Sequence, residues 1–224
     1  MVLSMLIRLS YLVVDTTSSR HNDLGSSFAR QRKYEEAETT YQRALEGREK
    51  VLGPDHPETV ISINGLEHVY SSQGKYEEAE ALCQRSLDVR KRVLGPEHPG
   101  TLTSVNNLGS IFVRRRKFKE AEAMHQRALE VRAKVLGPEH PATFVSVNDL
   151  GIVYEKLGKH EDSEAMHQQA LEVREKVLGP NHPETLISIN GLSSSLVRQK
   201  KYEKAEAMYK RALEAKEKCW GWNT

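Results

Sequence analysis

Apolar positions along this chain recur with the 3.6-residue rhythm of helices, and the rhythm itself repeats. After Pro57, the residues Val60, Ile63, Leu66, Val69 and Tyr70 follow at three- and four-residue steps, which predicts one apolar stripe on a helix. Gln73-Gly74-Lys75 breaks that pattern. A second helix resumes with Tyr76, Ala79, Cys83, Ser86, Leu87, Val93 and Leu94, and Gly95-Pro96 stops it. Pro57 suits a first helical turn, where its missing N–H would have no partner anyway. The whole two-helix pattern returns every 42 residues, marked by LGPxHP at 52–57, 94–99, 136–141 and 178–183. Two antiparallel helices cannot bury both stripes on each other, so each pair must stack on the next. The pattern predicts an all-α, right-handed α-solenoid of five helix pairs, residues 15–56, 57–98, 99–140, 141–182 and 183–224.

Aligned by the period, the units share columns. Leu24, Leu66, Leu108, Leu150 and Leu192 stand in one, followed four residues later by Phe28, Tyr70, Phe112, Tyr154 and Leu196. Small residues (Ala37, Ala79, Ala121, Ser163 and Ala205) recur where the two helices must approach closely. Residues 1–14 do not match the end of a preceding unit. Their apolar residues Leu3, Leu6, Ile7 and Val13 lie at helical spacing, which predicts a degenerate capping helix. The last unit reads as the weakest, because Ser193-Ser194-Ser195 and Leu196 replace its Gly, apolar and aromatic positions. It is expected to fray first. The fourth unit carries Ser163, His160 and Ile152 at altered positions and is where partner preference is expected.

Composition narrows the function classes. The 33 basic and 31 acidic side chains nearly cancel, so no overall field draws the chain to nucleic acid or membrane. The run at 1–14 is too short to span a bilayer and is broken by Arg8. Cys83 and Cys219 lie at unrelated positions. Cys83 shares a column with Tyr41, His125, His167 and Tyr209 and reads as a packed side chain, and a cytoplasmic setting is expected.

The Leu–aromatic–small–small series resembles the tetratricopeptide repeat. The 42-residue length, with Lys75–Glu80 (KYEEAE) and Arg127–Pro141 (RALEVRAKVLGPEHP), is similar to the kinesin light chain type. That resemblance implies a non-catalytic interaction scaffold whose first helices line a concave groove. The same repeat type occurs in arrays behind NB-ARC/NACHT-like nucleotide-binding domains. A sensor or oligomerisation array severed from such a protein is therefore the alternative. With no heptad coiled coil in this sequence, association with a kinesin heavy chain is not expected.

An asparagine stands in every first helix: Asn22, Asn64, Asn106, Asn148 and Asn190. Asparagine is a mediocre helix former, so five copies ask for a reason. By resemblance, these amides line the groove and bond the backbone of an extended peptide. Packed helices sit ~8–10 Å apart and an extended chain rises ~3.3 Å per residue, so one Asn serves about every third residue. A structural ladder between neighbouring helices is the other reading, and both can hold. Arg30, Arg114, Lys156 and Arg198 share a column with Ser72 at or near that face. They would favour an acidic ligand, or else serve only as cations at helix C-termini. The lysines that would clamp a terminal carboxylate at the Asn column are missing. His56, His98, His140 and His182 recur one per loop, too far apart for metal ligation, and read as helix-start residues. No phosphate-loop, dinucleotide or nucleophile-elbow motif is present, so no catalytic residues, metal or cofactor are expected.

Overall fold

The computed structural model describes the backbone of residues 2–220 and the side chains of residues 16–217. Among the described residues it contains ten helices and no strand. They are α1 (Val2–Arg30), α2 (Tyr34–Leu52), α3 (Pro57–Gln73), α4 (Tyr76–Leu94), α5 (Pro99–Arg114), α6 (Phe118–Val135), α7 (Pro141–Lys156), α8 (His160–Leu178), α9 (Pro183–Arg198) and α10 (Tyr202–Trp220). The chain forms two compact units, residues 1–115 and 116–224. In the first, each of α1 to α5 packs on its neighbour in sequence, and α1 also touches α3. In the second, α6 to α10 do the same and α7 touches α9. This is the stacked-pair architecture of an α-solenoid, as the periodicity predicts.

The recurring LGPxHP tag is a helix-to-helix joint. Gly53, Gly95, Gly137 and Gly179 have φ near +90°, which side-chain-bearing residues avoid. Each glycine carbonyl accepts a hydrogen bond from a threonine six residues on; Thr101 Oγ1 to Gly95 O is 2.7 Å. Each tag histidine is the N-cap of the following helix. His98 Nδ1 accepts the Gly100 N–H at 3.0 Å, and His56, His140 and His182 do likewise. The histidines are helix-start residues, as expected.

The turn inside each pair is a Schellman closure. The Lys75 N–H reaches Tyr70 O at 2.9 Å and the Gly74 N–H reaches Ser71 O. The Lys75 ammonium then lies over the Tyr70 ring and pairs with Glu38 of the preceding pair at 2.8 Å. Lys159, Tyr154 and Glu122 repeat this arrangement. The G-K-Y and E-A-E segments therefore form one contact between successive pairs.

Two expectations change. Leu66, Leu108, Leu150 and Leu192 are buried, but Leu24 is 47% exposed. Leu66 packs into a cluster with Ala37, Tyr41 and Leu45 of the preceding helix α2, and among the described residues no helix precedes α1. The core stripe of α4 ends at Val89. Val93 and Leu94 are exposed, because the chain turns away at Gly95 and leaves that last helical turn uncovered. In α9, Ser193 donates to Ile189 O, and Ser195 meets Ser163 Oγ at 2.8 Å and donates to Glu155. The backbone of α1 is helical without a break from Val2 into the first repeat. The capping role expected of the side chains of residues 1–14 lies outside the described residues, as does Cys219.

Candidate functional site

In each first helix of a pair, one solvent-side stripe carries the predicted residues. On α7 it runs Ala142, Val145, Asn148, Ile152 and Lys156; on α9 it runs Glu184, Ile187, Asn190, Ser194 and Arg198. Steps of three and four residues put all five positions on one helical face. Every predicted asparagine and end cation falls on such a stripe: Asn22 and Arg30 on α1, Asn64 on α3, and Asn106 and Arg114 on α5. Apolar side chains share it. Ile61, Val145 and Ile187, one turn before an asparagine, are each more than two-fifths exposed, and Ile152 is exposed as well. Ile152 is a position the sequence singles out; Ile61, Val145 and Ile187 were missed, because they were not part of the buried stripe. Their signal was an apolar residue three before the asparagine in three of five units.

The asparagines do not share one environment. Asn22 Oδ1 accepts from Ser62 Oγ at 3.4 Å, and Asn64 Oδ1 accepts from Ser86 Oγ at 2.9 Å. The structural ladder is thus present at these two positions. Because the serine holds each amide oxygen, the NH2 group remains the end available to a ligand carbonyl. Asn106 is buried and has a partner of its own. Asn148 is half-buried and Asn190 exposed, and neither amide bonds another described side chain. The end cations differ too. Arg30 Nε donates to Ser26 O at 3.4 Å, while Arg198 Nε stands 3.5 Å from Glu155. Arg114 and Lys156 are exposed in the last turns of α5 and α7.

Beneath the stripes lies a second period-42 column that sequence reading passed over: Arg48, Arg90, Arg132 and Arg174. Each guanidinium donates through Nη1 to the backbone carbonyl ten residues on and to a serine hydroxyl fourteen residues on. For Arg90 these are Gly100 O at 3.1 Å and Ser104 Oγ at 2.7 Å. Ser62, Ser146 and Ser188 serve Arg48, Arg132 and Arg174 at 2.7–2.8 Å. The network reaches the asparagines. Arg48 joins Asn22 through Ser62, and Arg90 joins Asn64 through Ser104 and Ser86. Burial holds Arg90, Arg132 and Arg174 below the usual arginine range.

The second helices contribute a column of variable size. Tyr41 lies against Gly25 and Gly65, where an added Cβ would come within 3.0 and 2.3 Å of its ring. His167 lies likewise between Gly151 and Gly191. Cys83 is smaller and leaves room for Glu67 and Asn107, which hydrogen-bond each other. Burial pushes the Glu67 carboxyl up to about 7, opposed by the Asn107 bond, and pushes the Cys83 thiol up as well. Burial also lowers His125 and His167, with nearby Asp149 and Glu155 opposing. These groups are sealed in the core. Among the described residues no set of three His, Cys, Asp or Glu side chains is placed to hold a metal ion, and no helix is long and apolar enough to cross a membrane.

A family model described as Tetratricopeptide repeat matches residues 15–82, 68–134, 104–176 and 144–218. A comparison with curated proteins finds no match. Among solved structures, a Podospora anserina protein described as a kinesin light chain with nearly identical TPR-like repeats superposes with a TM-score of 0.81 at 20% identity, covering 94% of this chain and 99% of that one. BtubC (BKLC) from P. vanneervenii superposes at 0.80 with 23% identity, covering 97% and 87%. A Rap protein complexed with Competence and Sporulation Factor superposes at 0.71 with 16% identity, covering 89% of this chain and 54% of that one.

Proposed function

The chain belongs to the tetratricopeptide repeat family, and from that premise we propose that it is a non-catalytic scaffold, cytoplasmic in setting, whose first-helix stripes bind an extended, acidic peptide. The observation that carries this reading is the coincidence, on one exposed face, of apolar, amide and cationic side chains. On α7 and α9, Val145, Ile152 and Ile187 remain exposed beside Asn148 and Asn190, whose amides have no internal role. Apolar side chains that recur on one exposed face beside unused amides suit contact with a partner. Lys156 and Arg198 at the far end of the stripe add the acidic preference. The Rap protein above was solved with a bound factor, which is compatible with ligand binding by this fold.

The test is a peptide selected from a random library on the wild-type chain. Asn148→Ala with Asn190→Ala removes amides the fold does not use, so folding is retained. Each lost hydrogen bond is worth about 1 kcal/mol, so affinity should fall roughly 10- to 30-fold. Unchanged affinity would remove the amide reading.

A further inference from the structure

Successive helix pairs are joined by one recurring set of side chains, and the first and last pairs each display half of it. Leu66 of α3 packs on Tyr41 and Leu45 of the preceding second helix. The Tyr41 column continues through Cys83 and His167, and the Leu45 column through Leu87 and Leu171, all of them buried. Lysines fasten the rim of the joint: Lys75 to Glu38 at 2.8 Å, Lys159 to Glu122 at 2.6 Å and Lys201 to Glu164 at 2.7 Å. Arg85 pairs with Glu49, and Arg211 with Glu175, from one second helix to the next. On α10 the same columns stand open. Tyr209 and Leu213 are 46% and 59% exposed, and with Val197 and Tyr202 they line an apolar groove. At its rim Glu206 and Glu217 hold the places of Glu38 and Glu49, and Glu206 pairs with Lys210 of its own helix. The complementary half lies on α1 and the start of α2. Leu24 is exposed in the place of Leu66, and Arg43 is exposed in the place of Arg85. Lys33 lies over the Phe28 ring at 6.0 Å, as Lys75 lies over Tyr70, but no pair precedes it among the described residues to supply a glutamate.

We propose that the α10 face docks on the α1–α2 face of a second copy, so that copies associate head to tail through the same joint that stacks their own repeats. Carrying the 42-residue register past α10 sets Leu24 of the second copy on Tyr209 and Leu213. It also sets Lys33 beside Glu206 and Arg43 beside Glu217. Each charge on one face meets its opposite on the other, which fixes both the partner and the register. His21 and Ser27 stand where Ile63 and Val69 fill the internal joint. The contact therefore buries less apolar surface than an internal joint does, and it is reversible. Each face lies within one compact unit, and the two faces differ, so the contact is heterologous. It uses none of the asparagine stripes and leaves them open to peptide.

Sedimentation equilibrium of the full chain over a concentration series should show a mass that climbs above that of one chain. Lys33→Glu and Glu206→Lys both fall on exposed side chains, so folding is retained. Each sets like charges against each other at the joint and should raise the dissociation constant roughly tenfold. Mixed in equal amounts, the two variants restore a Lys–Glu pair at every contact and should associate as the wild type does. One chain carrying both changes should do the same. Leu213→Asp, with helix content unchanged by circular dichroism, should abolish association. A wild-type chain that stays monomeric even at millimolar concentration overturns the inference. So does association that Glu206→Lys weakens and Lys33→Glu leaves unchanged, since α10 would then be pairing with itself. A mixture of the two variants that associates no better than either alone overturns it as well.

Discussion

Glu67 should make the first unit lose stability as pH rises through the neutral range. It stands in a column otherwise filled by Gly25, Gly109, Gly151 and Ser193, and it is 8% exposed between α3, α4 and α5 beside Cys83. Burial raises its carboxyl from the ordinary 4.5 to about 7, and the Asn107 bond only partly offsets this. The folded state therefore keeps a proton between pH 4.5 and 7 that the unfolded chain has released. Stability falls with rising pH wherever the folded state binds more protons. The penalty is absent below about pH 4.5, grows through that window and is complete above pH 7, where it amounts to about 3 kcal/mol. Glu67→Gln keeps a carbonyl to accept from Asn107 and removes the titration. His125 and His167, depressed by burial, push the other way by losing stability as pH falls, and Glu38 and Glu164, lowered through lysine pairing, act only at more acid pH. They contribute equally to both proteins and cancel in the difference. Urea denaturation of both chains at pH 4 and pH 8, with amide exchange of α3 and α4 as the local readout, should show the variant's advantage growing by about 3 kcal/mol. Parallel pH profiles would refute the burial argument.

Two further stability predictions follow from backbone and packing. Arg116 and Lys200 occupy the left-handed position, φ 61° in both, that Gly74 and Gly158 fill elsewhere. Arg116→Gly or Lys200→Gly should each stabilise by up to about 1 kcal/mol, and thermal denaturation should show a raised midpoint. Gly65→Ala and Gly191→Ala place a Cβ 2.3 Å from Tyr41 and 2.6 Å from His167. Each should destabilise by about 1–3 kcal/mol in urea, and pairing Gly65→Ala with Tyr41→Cys should recover part of the loss.

The core and the joints were legible because they are periodic. Leu66, Leu108, Leu150 and Leu192 announced a buried face, and the His-Pro tag announced helix starts. The site was half legible: the asparagines and end cations do fall on one stripe, but the exposed Ile61, Val145 and Ile187 were hidden, since a helical pattern marks apolar residues without saying which face a neighbour covers. The arginine column was equally periodic, yet an Arg in a charged helix reads as surface until its neighbours are known.

By itself the sequence determined the repeat length, the ten helices, their caps and the columns that stack, because these depend on local propensity and on spacing that one chain displays five times. Tertiary structure alone decided which copies differ. Leu24 is exposed because no described helix covers it, Glu67 is raised because Cys83 leaves it room, and Asn22 and Asn64 are engaged by serines while Asn148 and Asn190 are not. Arg48 and Arg174 pair with Glu58 and Glu184, while Arg132 has Asp149 nearby instead. Residues ten to forty positions apart set these differences, and the energy of a buried charge or amide depends on those neighbours rather than on its own place in the repeat.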